Sequence, residues 1–114
     1  MIVIYHNPRC SKSRQTLDLL RARGIEPEIV HYLENPPDAA TLNLLLRKLG
    51  MEARQLLRKG EPEYRSAGLD DPDCSDARII AAMVEHPRLI ERPIVVAGDR
   101  AVLGRPPENV LALL

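Results

Sequence analysis

Residues 2–14 read Ile2-Val3-Ile4-Tyr5-His6-Asn7-Pro8-Arg9-Cys10-Ser11-Lys12-Ser13-Arg14, a short β-forming run that stops at Asn7-Pro8, two residues before a cysteine. Pro8 has no N–H and biases Asn7 away from helical backbone, so the strand ends and the chain turns before Cys10. From Ser11 the apolar residues Leu17, Leu19 and Leu20 recur among helix formers until Gly24 closes the pattern. The spacing therefore predicts Cys10 at a helix N-terminus, where unpaired N–H groups and the helix dipole favour negative charge. Arg9, Lys12 and Arg14 add positive charge nearby. Such surroundings lower cysteine pKa values from about 8.5 toward roughly 3.5 to 7.5 and make the thiol a nucleophile. The plainer alternative is a small buried hydrophobe. Ser13 lies one helical turn on, giving Cys-x-x-Ser. Its hydroxyl can donate to a thiolate but cannot resolve a disulfide; otherwise it is an ordinary first-turn serine.

Outward from this loop, 114 residues with 45% hydrophobic content suffice for one domain, residues 1–114, around one core. Sixteen basic and sixteen acidic residues cancel, which argues against nucleic acid or an anionic membrane as the main partner. No signal-peptide pattern follows Met1 and no apolar run reaches membrane-spanning length, so a cytoplasmic protein is expected. In a reducing compartment Cys10 and Cys74 are read as free thiols. Asp71, Asp73 and Asp76 work against ionisation of Cys74, whose role stays open. His6, His31 and His86 are isolated, with no metal-ligand spacing, and no bound cofactor is expected.

A second strand is predicted at about Glu28 to Tyr32, making a βαβ unit with parallel strands. Asp38 reads as the N-cap of a helix carrying Leu42, Leu45, Leu46 and Leu49 and closed by Gly50. A short helical piece at Ala53 to Arg58 and one or two turns within Glu61 to Ala67 follow. Ser75 reads as the cap of a helix with Ile79, Ile80, Met83 and Val84, ended by His86-Pro87. Ile94 to Val96 and Ala101 to Leu103 form a hairpin turning at Gly98-Asp99, and Pro106-Pro107 open a last helix with Val110, Leu111 and Leu113 apolar.

The order βαβ, helices, ββα predicts an α/β, thioredoxin-like fold: a four-stranded mixed sheet with a helical insertion between its halves. In that layout the first hairpin strand runs antiparallel to the strand ending at Tyr5. Arg92 and Arg105 then flank the hairpin at the end facing Cys10, two guanidinium groups suited to a tetrahedral oxyanion. With thirteen arginines in the chain, the alternative for either is a solvated surface charge. Arg92-Pro93 is where a cis proline is expected.

With these residues in view, the chain resembles the glutaredoxin-coupled arsenate reductases over nearly its full length, and looks like their short branch. The matching segments are Tyr5 to Arg14, His31 to Pro37, Leu56-Leu-Arg-Lys59, Arg92-Pro-Ile-Val-Val96 and Gly104-Arg-Pro-Pro107. The resemblance implies that Cys10 is the nucleophile, that Arg58, Arg92 and Arg105 hold the oxyanion, and that His6 lies near the thiol. For His6 a polar strand-end role is the alternative. Arsenate, glutathione as co-substrate and glutaredoxin are the implied partners. Within this frame Glu61 and Glu63 are placed to pair with Arg58 and compete for it.

Two other readings stay open at this stage. One is a monothiol thiol-disulfide oxidoreductase using Cys10 alone; the other is a redox-sensing interaction protein of related fold, although Ser13 stands where such sensors carry a second cysteine. The phosphatase-like Cys-x5-Arg arsenate reductases are excluded because Thr16 occupies the arginine position.

Overall fold

The computed structural model describes residues 1–114, which cluster into two compact units: Met1–Asn35 with Arg92–Leu114, and Pro36–Glu91.

The first unit is built on strands β1 (Ile2–Tyr5), β2 (Glu28–Val30), β3 (Ile94–Ala97) and β4 (Arg100–Leu103), in the order β2-β1-β3-β4. β1 pairs parallel with β2 and antiparallel with β3, and β3 pairs antiparallel with β4. Helix α1 (Ser11–Ala22) makes the parallel crossover. Ile4 and Val95 are directly opposed across β1 and β3, so both side chains lie on one face. There they join Leu17 and Leu20 of α1, one turn apart, and Val110 and Leu113 in a single buried cluster. Burying each such side chain contributes roughly 1.5 to 3 kcal/mol. β2 is shorter than expected, and Tyr32 is buried in the turn beyond it.

The last element also departs from expectation. Pro107–Leu113 forms a 3-10 helix, and its buried residues, Pro107, Val110 and Leu113, fall every third position. A three-residue turn stacks these positions in one stripe, leaving Leu111 only half-buried. The hairpin turns at Gly98, whose φ of +65° is open to glycine without steric cost.

The second unit contains α2 (Ala39–Leu49), α3 (Ala53–Leu56), α4 (Pro62–Ser66), α5 (Asp76–Glu85) and a 3-10 turn at Pro87–Leu89. Both expected caps are present: Thr41 N–H donates to Asp38 Oδ1 at 2.8 Å, and Arg78 N–H to Ser75 Oγ at 3.2 Å. Helix α3 stops at Leu56, before Arg58, because the chain there turns extended and bridges Leu57 to Ile90. Arg58 N–H donates to Leu89 O and Glu91 N–H to Leu56 O, at 2.7 and 2.8 Å. No helix is long and apolar enough to cross a membrane.

Candidate active site

Cys10 is the N-cap residue of α1, with extended backbone at φ −93° and ψ 123°. The preceding loop is held by its own polar groups. Asn7 Oδ1 accepts from Arg9 N–H at 3.0 Å, and Asn7 O accepts from Cys10 N–H at 3.0 Å. This Asx-type turn swings the chain from β1 to the helix start and presents the cysteine there.

Only 9% of Cys10 is exposed, yet its sulfur does not sit in hydrocarbon. Arg105 Nη1 donates to Sγ at 3.7 Å. Burial pushes the thiol up; the backbone N–H of Ser13, the Arg92 charge, the backbone N–H of Lys12 and the Arg105 charge push it down, and together they win. The net result is a thiol held below its ordinary range, as the helix start predicts, although the charges that lower it are those of Arg92 and Arg105 and not the expected ones of Arg9, Lys12 and Arg14.

Ser13 contributes differently from expectation. Its hydroxyl is taken by His6 Nδ1 at 2.6 Å and accepts from Asn7 N–H at 3.0 Å, and it is the Ser13 main-chain N–H that serves the sulfur. His6 is buried, and its pKa is lowered by that burial, then by the charges of His31, Arg21 and Arg14. A neutral His6 protonated at Nε2 accepts the Ser13 O–H through Nδ1 and leaves the serine oxygen free for Asn7. The loop and the first turn of α1 are thus tied by three buried groups.

Arg92 and Arg105 arrive from the hairpin. Ile94 pairs with Leu103, so the residues just outside that rung emerge together, and Arg105 Nη1 also donates to Arg92 O at 3.5 Å. Arg92-Pro93 is cis, as expected, and Arg105-Pro106 is cis as well.

Sequence reasoning missed the groups that hold Arg105 in place. Gly104 N–H donates to Pro93 O at 2.9 Å. Buried Thr16 bridges α1 to this strand end, its Oγ1 donating to Lys12 O at 2.8 Å and approaching Gly104 O at 3.2 Å. Asn109 Nδ2 donates to Leu103 O and Arg105 O, both at 3.1 Å. A Cβ on Gly104 would stand 2.5 Å from Thr16 Oγ1 and 2.8 Å from Pro93 Cγ, so only glycine allows this approach. Asn7 carried a readable signal in the Asn-Pro pair; the Thr16–Gly104 contact had none, because the two residues are 88 positions apart, and Asn109, whose partners lie only four and six residues away, was passed over as an ordinary residue of the last helix.

Arg58 belongs to the Pro36–Glu91 unit. There its Nη2 pairs with Glu61 at 2.9 Å, its Nε lies 3.9 Å from Glu91, and its Nη1 donates to Arg88 O at 3.3 Å. Of the two acids expected to compete for it, Glu61 pairs with it, whereas Glu63 pairs with Arg88 at 3.3 Å. Cys74, half-buried in the same unit, is also a free thiol.

A βαβ-ββα sheet with one thiol on the first helix N-terminus and arginines from the hairpin defines a thioredoxin-like protein. The ArsC family profile matches residues 5–113. The uncharacterised protein YfgD of Escherichia coli K12 is 56% identical over 114 residues, which cover 99% of this chain and 96% of YfgD. The arsenate reductase of Haemophilus influenzae is 48% identical over 114 residues, covering 99% and 98% of the two chains. Among solved structures, the arsenate reductase from Vibrio cholerae superimposes with a TM-score of 0.96 at 51% identity, covering 99% of this chain and 97% of that one. The chain belongs to the ArsC family.

Proposed function

We propose that the protein is a glutathione- and glutaredoxin-dependent arsenate reductase, acting in the cytoplasm and serving arsenic resistance. The observation that carries this reading is the sulfur of Cys10, which receives Arg105 Nη1 at 3.7 Å, is flanked by Arg92 and is served by two main-chain N–H groups. That setting both ionises a nucleophile and prepares a site for the tetrahedral oxyanion it attacks. The names of the Haemophilus and Vibrio relatives support arsenate as that oxyanion.

In the proposed reaction the Cys10 thiolate attacks arsenic, an As–O bond breaks, and the departing oxygen leaves as water after protonation. Arg92 and Arg105 offset the charge of the thiol-arsenate adduct. A glutathione thiolate then attacks the Cys10 sulfur. The S–As bonding pair passes to arsenic, which leaves as arsenite, reduced by two electrons, while the two sulfurs become a mixed disulfide. A glutaredoxin thiolate takes the glutathionyl group and restores Cys10. The absence of a resolving cysteine at Ser13 fits this use of external thiols. Arg58 enters as a third cation on the resemblance alone.

The test is NADPH consumption with arsenate, glutathione, glutaredoxin and glutathione reductase. Activity is expected for the intact chain and lost in Cys10→Ser. Arg92→Ala, Arg105→Ala and Arg58→Ala are expected to raise the KM for arsenate. Turnover of mixed disulfides that needs no arsenate and survives Arg92→Ala would replace this reading with the monothiol oxidoreductase. A glutathione adduct found on Cys74 and not on Cys10 would overturn the site itself.

A further inference from the structure

β1 and β2 are parallel, so the loops at their carboxyl ends leave the sheet on the same side, with His6 N–H donating to Val30 O at 2.9 Å as the last rung. Just beyond it lies a cavity of about 300 Å³, walled by residues 6–9 on one side and by His31, Leu33 and Glu34 on the other. It stops one residue short of Cys10.

Two charged side chains face this cavity, Arg9 from the first loop and Glu34 from the second. Elsewhere in the chain such residues find each other, as in Arg21 with Glu26 and Arg58 with Glu61. Arg9 and Glu34 make no side-chain hydrogen bond or ion pair, and both are exposed. One uncommitted cation and one uncommitted anion across a small cavity complement a zwitterion. A lone carboxylate would be attracted by Arg9 and repelled by Glu34.

The chemistry proposed above requires an external thiol at Cys10, and glutathione carries a zwitterion at its γ-glutamyl end, an ammonium and a carboxylate on one carbon. Its glycyl end has a carboxylate only. The sulfur lies about two residue lengths, roughly 7 Å, from that headgroup, and Arg9 and Cys10 have Cα atoms about 3.8 Å apart. A headgroup held beside Arg9 is thus one residue along the chain from Cys10, a separation that the span from headgroup to thiol can bridge.

We infer that this cavity seats the γ-glutamyl headgroup of glutathione, its carboxylate on Arg9 and its ammonium on Glu34. The assignment rests on the glutathione dependence proposed above.

Steady-state kinetics with glutathione and with cysteinylglycine, which lacks the γ-glutamyl group, test it. Arg9→Ala and Glu34→Ala are each expected to raise the KM for glutathione about fivefold, the size expected for one exposed ion pair. The KM for arsenate and the KM for cysteinylglycine stay unchanged. An unaltered glutathione KM in both variants overturns the assignment. A second measurement needs no arsenate: titration of the isotope-labelled protein with S-methylglutathione should shift the amide resonances of His6, Arg9, His31 and Glu34, more weakly in each variant. Turnover without those shifts refutes the cavity alone. Shifts without arsenate turnover refute the proposed function and leave the cavity standing.

Discussion

Gly104→Ala tests how packing remote in sequence sets the chemistry of Cys10. The added methyl carbon would lie 2.5 Å from Thr16 Oγ1, 2.9 Å from Thr16 Cγ2 and 2.8 Å from Pro93 Cγ. Rotating Thr16 gives no relief, because both branches are met and the side chain is fully buried; the proline ring cannot swing away. The strand end must move, which strains the Gly104–Pro93 and Thr16–Gly104 hydrogen bonds. Overpacking of this kind costs about 1 to 3 kcal/mol. With a urea m-value of about 2 kcal/mol/M, the midpoint should fall by about 0.5 to 1.5 M. Arg105 is the next residue, so its guanidinium should retreat from Sγ and the thiol should ionise at higher pH. Urea unfolding and the pH profile of Cys10 alkylation, with Cys74→Ser as background, read both effects. A variant with unchanged midpoint and unchanged alkylation profile would refute the reasoning.

Arg92→Ala removes a cation that lowers the Cys10 thiol, so alkylation at fixed neutral pH should slow and its profile should move to higher pH. Because the native thiol lies below its ordinary range, its ionisation favours the folded state above the unfolded thiol's pKa and that contribution fades as pH falls through the native value. The stability advantage of the intact chain over Cys10→Ser should therefore grow with pH across that interval, as measured by urea titrations. Ser13→Ala strips the partner from His6 Nδ1 and from Asn7 N–H, both buried, at a cost of about 1 to 3 kcal/mol. It keeps the main-chain N–H, so its alkylation profile should move less than that of Arg92→Ala. Ser75→Ala removes the α5 cap and should cost about 1 kcal/mol in thermal or urea unfolding, without touching Cys10 reactivity.

What the chain alone determined was local in origin. Asn7-Pro8 ends a strand because proline lacks a donor, the Ser11 to Ala22 pattern starts a helix at Cys10, and Asp38, Gly50 and Ser75 punctuate the helices by their own side chains or φ. The placement of Arg92 and Arg105 at one hairpin end followed from strand direction, which two short β-runs and a glycine turn already specify. Only the tertiary structure decided what those groups do to one another. Whether the Ser13 hydroxyl or its main-chain N–H faces the sulfur depends on His6 and Asn7 capturing the hydroxyl first. Arg105 reaches Sγ because Thr16, 88 positions before Gly104, meets a strand end with no side chain to keep it away. The 3-10 ending arose from the three-residue spacing of Pro107, Val110 and Leu113, a pattern that becomes visible only once the surface they bury against is in place. Local signals travel through backbone dihedrals over a few residues, whereas close approach and competition for a hydrogen bond need atoms that sequence distance does not order.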